Sequence, residues 1–153
     1  MTKHPKALIV LSGVSNAGKT TTLRKVIKTI ASSGCPRLDL NGDDITKTKG
    51  DVRTAFDVNG TRVGVCTAGD TEKIAKETVK WAIDLEIDIL VTASKSTGKT
   101  GSVETIVTTS IEWNVYPVFL ALMTWPGDAQ RNYHEMETAK RIVDAIRQKA
   151  IAL

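Results

Sequence analysis

Cysteine is scarce in this chain. The two present, Cys35 and Cys66, stand far apart and form neither a metal-ligand nor a dithiol spacing, so they are expected as buried or half-buried free thiols. Long apolar runs are missing too: none approaches the roughly 20 residues that a membrane-spanning helix needs. The opening MTKHPKALIVLSG leads into a glycine loop instead of a small-residue cleavage site. The expectation is a cytoplasmic protein without a membrane partner. Aromatic residues make up 5% of the chain and do not interleave with the lysines and arginines. The net charge of +4 therefore suits a phosphate-bearing ligand better than a nucleic-acid surface. His4 and His134 have no partner spacing and are assigned no role. Repeats and linkers are absent, and the 153 residues, 41% of them apolar, predict a single domain over 1–153 with a real core. Nothing in the sequence fixes an oligomeric state.

What is present is an alternation of two periods. ALIVL (7–11) is short, continuous and branched, as a strand buried on both faces should be. Leu23, Val26, Ile27 and Ile30 then recur at helical spacing, and Gly34 with Pro36 ends that helix. PRLDL (36–40) predicts a second strand, followed by an exposed polar loop through Asp51. Val52, Thr54, Phe56 and Val58 alternate up to Asn59-Gly60, and Val63 and Val65 continue beyond. An Asn-Gly pair between two such runs predicts a hairpin, because both turn residues need positive φ. Asp70 or Thr71 caps a helix carrying Ile74, Thr78, Trp81, Ala82 and Leu85. IDILVTAS is the next buried strand, followed by a helix with Val103, Ile106, Val107, Ser110 and Ile111 inward. YPVFLALM is a further strand, and the last helix presents Met136, Ala139, Val143, Ile146 and Ala150. Strands separated by amphipathic helices predict an α/β fold: a mainly parallel sheet, helices on both faces, and the hairpin adding one antiparallel edge strand.

The residues between the first strand and helix carry the chemistry. Gly13-Val14-Ser15-Asn16-Ala17-Gly18-Lys19-Thr20 matches G-x-x-x-x-G-K-[ST] in the strand-then-helix context that gives the pattern meaning. Glycines let the backbone curl with its N–H groups inward, and the helix brings its positive end to the same place. Lys19 adds a charge for the β- and γ-phosphates, the Thr20 hydroxyl is placed to ligate magnesium, and Thr21 completes the phosphate-binding set.

With these residues the chain resembles the P-loop nucleoside triphosphatase superfamily, in particular its small single-domain members, closely over 7–31 and in architecture beyond. The resemblance implies the three-layer P-loop fold and binding of a nucleoside triphosphate with Mg2+. ATP is preferred to GTP, because no guanine-reading NKxD segment occurs. Such proteins hold magnesium with a second acid at the carboxyl end of a strand. Asp88 begins its strand, on the rim away from ligands in an open parallel sheet, and reads as structural. Asp70, after VGVCTAG, is the candidate for magnesium and catalysis, with helix capping as its other role. Asp43 and Asp44 in LDLNGDDI resemble the acidic segment of adenylylsulfate kinases and are candidates for binding the acceptor; a turn rich in Asn, Gly and Asp is the alternative. Lys47, Lys49 and Arg53 flank them. Lys95 and Lys99, in SKSTGKTGS, are candidate lid cations for the transferred phosphoryl group, or ordinary surface lysines.

Three functions fit these residues. The first is an ATP-dependent phosphotransferase acting on a small anionic acceptor. The second is a nucleotide hydrolase or switch, since FDVNGTRVGVCTAGDT is similar to the hairpin and DTAG segment of small GTPases, with Cys66 where those have aspartate. The third is a nucleotide-binding subunit without an acceptor.

Overall fold

The computed structural model describes residues 3–13, 18–39, 42–46, 50–69, 71–95 and 101–152. Nine elements follow one another: β1 (Ala7–Gly13), α1 (Lys19–Ser32), β2 (Arg53–Val58), β3 (Thr61–Cys66), α2 (Glu72–Asp84), β4 (Ile89–Lys95), α3 (Ser102–Trp113), β5 (Pro117–Ala121) and α4 (Asp128–Ala152). The strands form one sheet in the order β2-β3-β4-β1-β5. All neighbours are parallel except β2 and β3, whose hairpin puts β2 at an edge as the alternation predicted. Asn59 and Gly60 at its turn have φ of 52° and 89°, the left-handed values that an Asn-Gly turn supplies.

Alternation along β1 divides the core. Ile9 and Leu11 pack toward α1 and α4, against Leu23, Ile27, Ile142 and Ile146, while Leu8 and Val10 pack toward α2 and α3, against Ala82, Ile106 and Trp113. This is the three-layer α/β arrangement of the P-loop nucleoside triphosphatases. Both cysteines are free, Cys66 buried and Cys35 half-buried. Among the described residues no helix is long and apolar enough to cross a membrane.

Three expectations need correction. PRLDL does not form a strand: only Arg37 bridges to Phe56, and at the next step the Asp39 carboxylate, not a backbone carbonyl, accepts from Ala55 N at 2.9 Å. A side chain has replaced the ladder, so pairing stops. On α3 the buried face is turned. Ile106, Thr109, Ser110 and Trp113 point inward, whereas Ile111 is 74% exposed and Val107 39%. Trp113 is the largest side chain on the helix, and burying it against the sheet, with His4 stacked on its ring at 5.8 Å, sets the rotation. On α4, Met136 lies outside and Glu135, Ala139, Ile142, Val143 and Ile146 face in.

Candidate functional site

The rim of the sheet where β1, β3 and β4 end collects most of the described candidate residues. β1 ends at Gly13 and α1 begins at Lys19. Gly18, the residue before that helix, has φ 94°, a conformation glycine adopts without a Cβ penalty. No side chain caps the helix and no acidic residue stands in its first turn. The positive dipole end of α1 therefore lies at Gly18, where an anion is favoured. The contrast within the molecule is α2, where the Thr71 hydroxyl accepts from Ile74 N at 3.2 Å and closes the helix with its own side chain.

Lys19 is 6% exposed. Its ammonium donates to the Gly13 carbonyl at 2.9 Å and to the Ser94 carbonyl at 3.1 Å, so one cation spans the ends of β1 and β4. These strands are paired in register, Ser12 with Ser94 and Gly13 with Lys95. The Ser94 hydroxyl beside them is buried and has no hydrogen-bond partner among the described residues. Thr20 is half-buried and Thr21 exposed in the first turn of α1. Val14, Ser15, Asn16 and Ala17 lie outside the described residues.

The segment after β3 reaches the same place. Gly69 packs so closely on β4 that a Cβ there would lie 1.7 Å from the Ala93 carbonyl oxygen. Gly69 therefore packs on β4 one residue before Ser94, whose carbonyl Lys19 contacts. Asp70 itself lies outside the described residues, as do Lys99, Lys47 and Lys49. Lys95 ends β4 half-buried, and its backbone N–H donates to Ser102 Oγ at 3.3 Å, tying the start of α3 to the end of the strand. Asp88 is at the opposite rim, where its carboxylate accepts from Arg62 N at 2.9 Å and pairs with Lys3 at 2.9 Å.

Asp43 and Asp44 are on the loop rim but farther out. Asp43 Oδ2 accepts from Arg53 N at 2.9 Å, at the start of β2, three strands from β1 and so about 14 Å away along the sheet. Asp44 Oδ1 accepts from the backbone N and the hydroxyl of Thr46, at 2.9 and 2.7 Å. Their loop is nonetheless fastened to α1, because Arg24 donates to the Gly50 carbonyl. Between α1 and this loop runs a cleft of about 710 Å³, bordered by Thr21, Arg24, Lys28, Ile45 and Thr46.

Two carboxylates went unnoticed in the sequence. Asp39 Oδ1 accepts from Arg37 Nε, Thr54 Oγ1 and Ala55 N within 3.0 Å, which makes it the post that holds the loop to β2. Glu135 is 3% exposed and packs against Gly18 from α4. Its signal was available: positions 135, 139, 142 and 146 make one helical stripe, and 135 is its only ionisable member.

Neither a curated protein nor a solved structure matches the chain. The family model for zeta toxin matches residues 1–144, nearly the whole length. With its glycine loop between β1 and α1, its buried Lys19 and its three-layer sheet, the chain belongs to the zeta toxin family, a P-loop, kinase-like family.

Proposed function

We propose that the protein is a magnesium- and ATP-dependent phosphotransferase acting on a small anionic acceptor, with residues 1–153 working as one domain. The observation that carries this reading is the glycine-led start of α1 beside a buried ammonium that spans the ends of β1 and β4. A helix N-terminus, a cation within reach and the Thr20 hydroxyl in the first turn fit a magnesium triphosphate. When bound, MgATP supplies the phosphoryl group for transfer.

The chain's own contribution is positioning and charge. Backbone N–H groups of Gly13, Val14, Ser15, Asn16, Ala17 and Gly18 and those of the first turn through Thr21 hold the phosphates. Lys19 exchanges a carbonyl partner for a phosphate oxygen. Thr20 and Asp70 hold Mg2+, an assignment supported by the position of Gly69 against Ala93. Lys95 and Lys99 act as the lid cations, and Asp43 and Asp44 meet the acceptor. The cleft beside Arg24 and Lys28 offers room for that acceptor, and both side chains suit an anion.

The test is ADP release by purified protein with Mg2+ and ATP, with and without a panel of nucleosides, nucleotides and small acids. Release that depends on an acceptor supports transfer. Release without one supports the hydrolase or switch, and preference for GTP overturns the choice of base. Lys19→Ala should abolish release in any catalytic version, and retained activity would overturn the site.

A further inference from the structure

The two edges of the sheet are finished differently. β2, at one edge, is covered by the chain itself: Leu38 N donates to the Ala55 carbonyl at 2.8 Å, and Asp57 N to the Pro36 carbonyl at 2.9 Å. β5, at the other edge, pairs with β1 alone. Leu122 N donates to the Ser12 carbonyl at 2.8 Å, so Val118, Leu120 and Leu122 turn their backbone groups toward β1. By alternation Pro117, Phe119 and Ala121 turn theirs outward. The N–H groups of Phe119 and Ala121 and the carbonyls of Pro117, Phe119 and Ala121 meet no partner among the described residues. Pro117, which has no N–H, stands where a strand tolerates proline, with its nitrogen on the open side.

Apart from Pro117 at its start, little on the strand defends this edge. Open edges are ordinarily blunted by charge, a bulge or a covering segment. Here no charged residue stands between Glu112 and Asp128. Tyr116 is 95% exposed and Phe119 42%. Phe119 is in register with Val10 and shares its face of the sheet, the one covered by α2 and α3. On that face Thr105, Thr108 and Glu112 of α3 line one groove with Glu72, Lys76 and Val79 of α2. Helical spacing puts Val107 and Ile111, both exposed, on the opposite flank of α3. That flank is the one toward β5, because α3 passes over β1 to join β4 to β5. The apolar side chains that the core leaves out therefore adjoin the uncharged edge.

We propose that β5 is a dimer edge, taken by β5 of a second copy of this chain running antiparallel about a twofold axis at Phe119. The edge is complementary to itself. Phe119 facing its own copy exchanges both N–H···O=C bonds, and Ala121 N of each chain donates to the Pro117 carbonyl of the other. The bond that proline withholds falls at the end of this ladder. Such an axis is perpendicular to the sheet, so α3 of both copies lies on one face. Val107, Ile111 and Phe119 of each then meet those of the other in one apolar layer. An uncharged edge sets no like charges against each other when it meets itself, whereas a charged peptide finds no counter-charge on it.

Sedimentation velocity of the full chain, over roughly a hundredfold range of concentration around 10 µM, tests this. The wild type should pass from monomer to dimer across that range. Phe119→Lys, which sets two ammonium groups opposite each other, should weaken association at least about tenfold. Ala121→Pro, which removes the donor to Pro117 from an edge that tolerates proline, should do the same. An equal mixture of Phe119→Lys and Phe119→Glu should associate more strongly than either alone, as expected if residue 119 faces its own copy. Ile111→Lys should also weaken association while leaving the unfolding of dilute, monomeric protein unchanged. Circular dichroism at the lowest concentration reports whether each variant is folded; if Phe119→Lys is not, Ala121→Pro carries the same reading. A wild type that stays monomeric throughout, or a dimer undiminished in Phe119→Lys and Ala121→Pro, overturns the proposal. Failure of the mixed charges to associate overturns the twofold at Phe119. None of these residues belongs to the proposed triphosphate site, so the outcome is independent of that reading.

Discussion

Replacing Gly69 by alanine probes the contact that brings the end of β3 to the candidate site. The added Cβ would lie 1.7 Å from the Ala93 carbonyl oxygen and 2.5 Å from its carbonyl carbon. Ordinary carbon–oxygen contact is about 3.3–3.6 Å, so the two segments must part by more than an ångström. Neither side can yield by turning a side chain, because the obstacle is backbone. Ala93 is also fixed by its register with Leu11, and the next residue provides a carbonyl to Lys19. Overpacking costs roughly 1–3 kcal/mol when side chains can adjust. With backbone on both sides the upper end applies, about 3 kcal/mol. For a chain of this size that is a fall in Tm of about 6–12 °C. Thermal melting followed by circular dichroism reads it directly. A Gly69→Ala protein melting within about 2 °C of the wild type would refute the close approach of Gly69 to β4.

Other predictions separate structural from functional roles. Asp39→Ala leaves the Arg37 guanidinium, the Thr54 hydroxyl and Ala55 N without their shared acceptor. It should lower stability by about 3 kcal/mol in urea unfolding. Asp44→Ala, in an exposed turn, should cost no more than about 1 kcal/mol in the same assay, and its effect should fall instead on acceptor-dependent turnover. Trp113→Ala empties the core under α3 and should cost about 3–5 kcal/mol. Ile111→Lys, two positions earlier, should stay within about 0.5 kcal/mol, and a large loss there would contradict the rotation of the helix.

How far the sequence could be read depended on whether the signal was local. The strand and helix that flank the glycine loop are set by consecutive residues, and so is the Asn59-Gly60 hairpin, whose turn needs two positive φ angles at adjacent positions. These were legible. The rotation of α3 was not, because Val107 and Ile111 are as apolar as the residues that are buried. Only the competition for space in the core turns Trp113 inward. The failure of PRLDL to form a strand turns on one carboxylate competing with a carbonyl for Ala55 N, a contact between residues 16 apart. The rim itself is visible only in three dimensions: Lys19 reaches Ser94, 75 residues away. Glu135 broke an otherwise apolar stripe, and that irregularity was the trace of its place behind Gly18.

The central claim is that the start of α1, with Lys19, is a seat for a magnesium-bound polyphosphate. Titrating the wild type and Lys19→Ala with MgATP in a calorimeter tests it most directly. The account predicts saturable one-site binding by the wild type and its loss in the variant, with the fold retained by circular dichroism. No heat of binding from the wild type, or equal binding by both proteins, would contradict it.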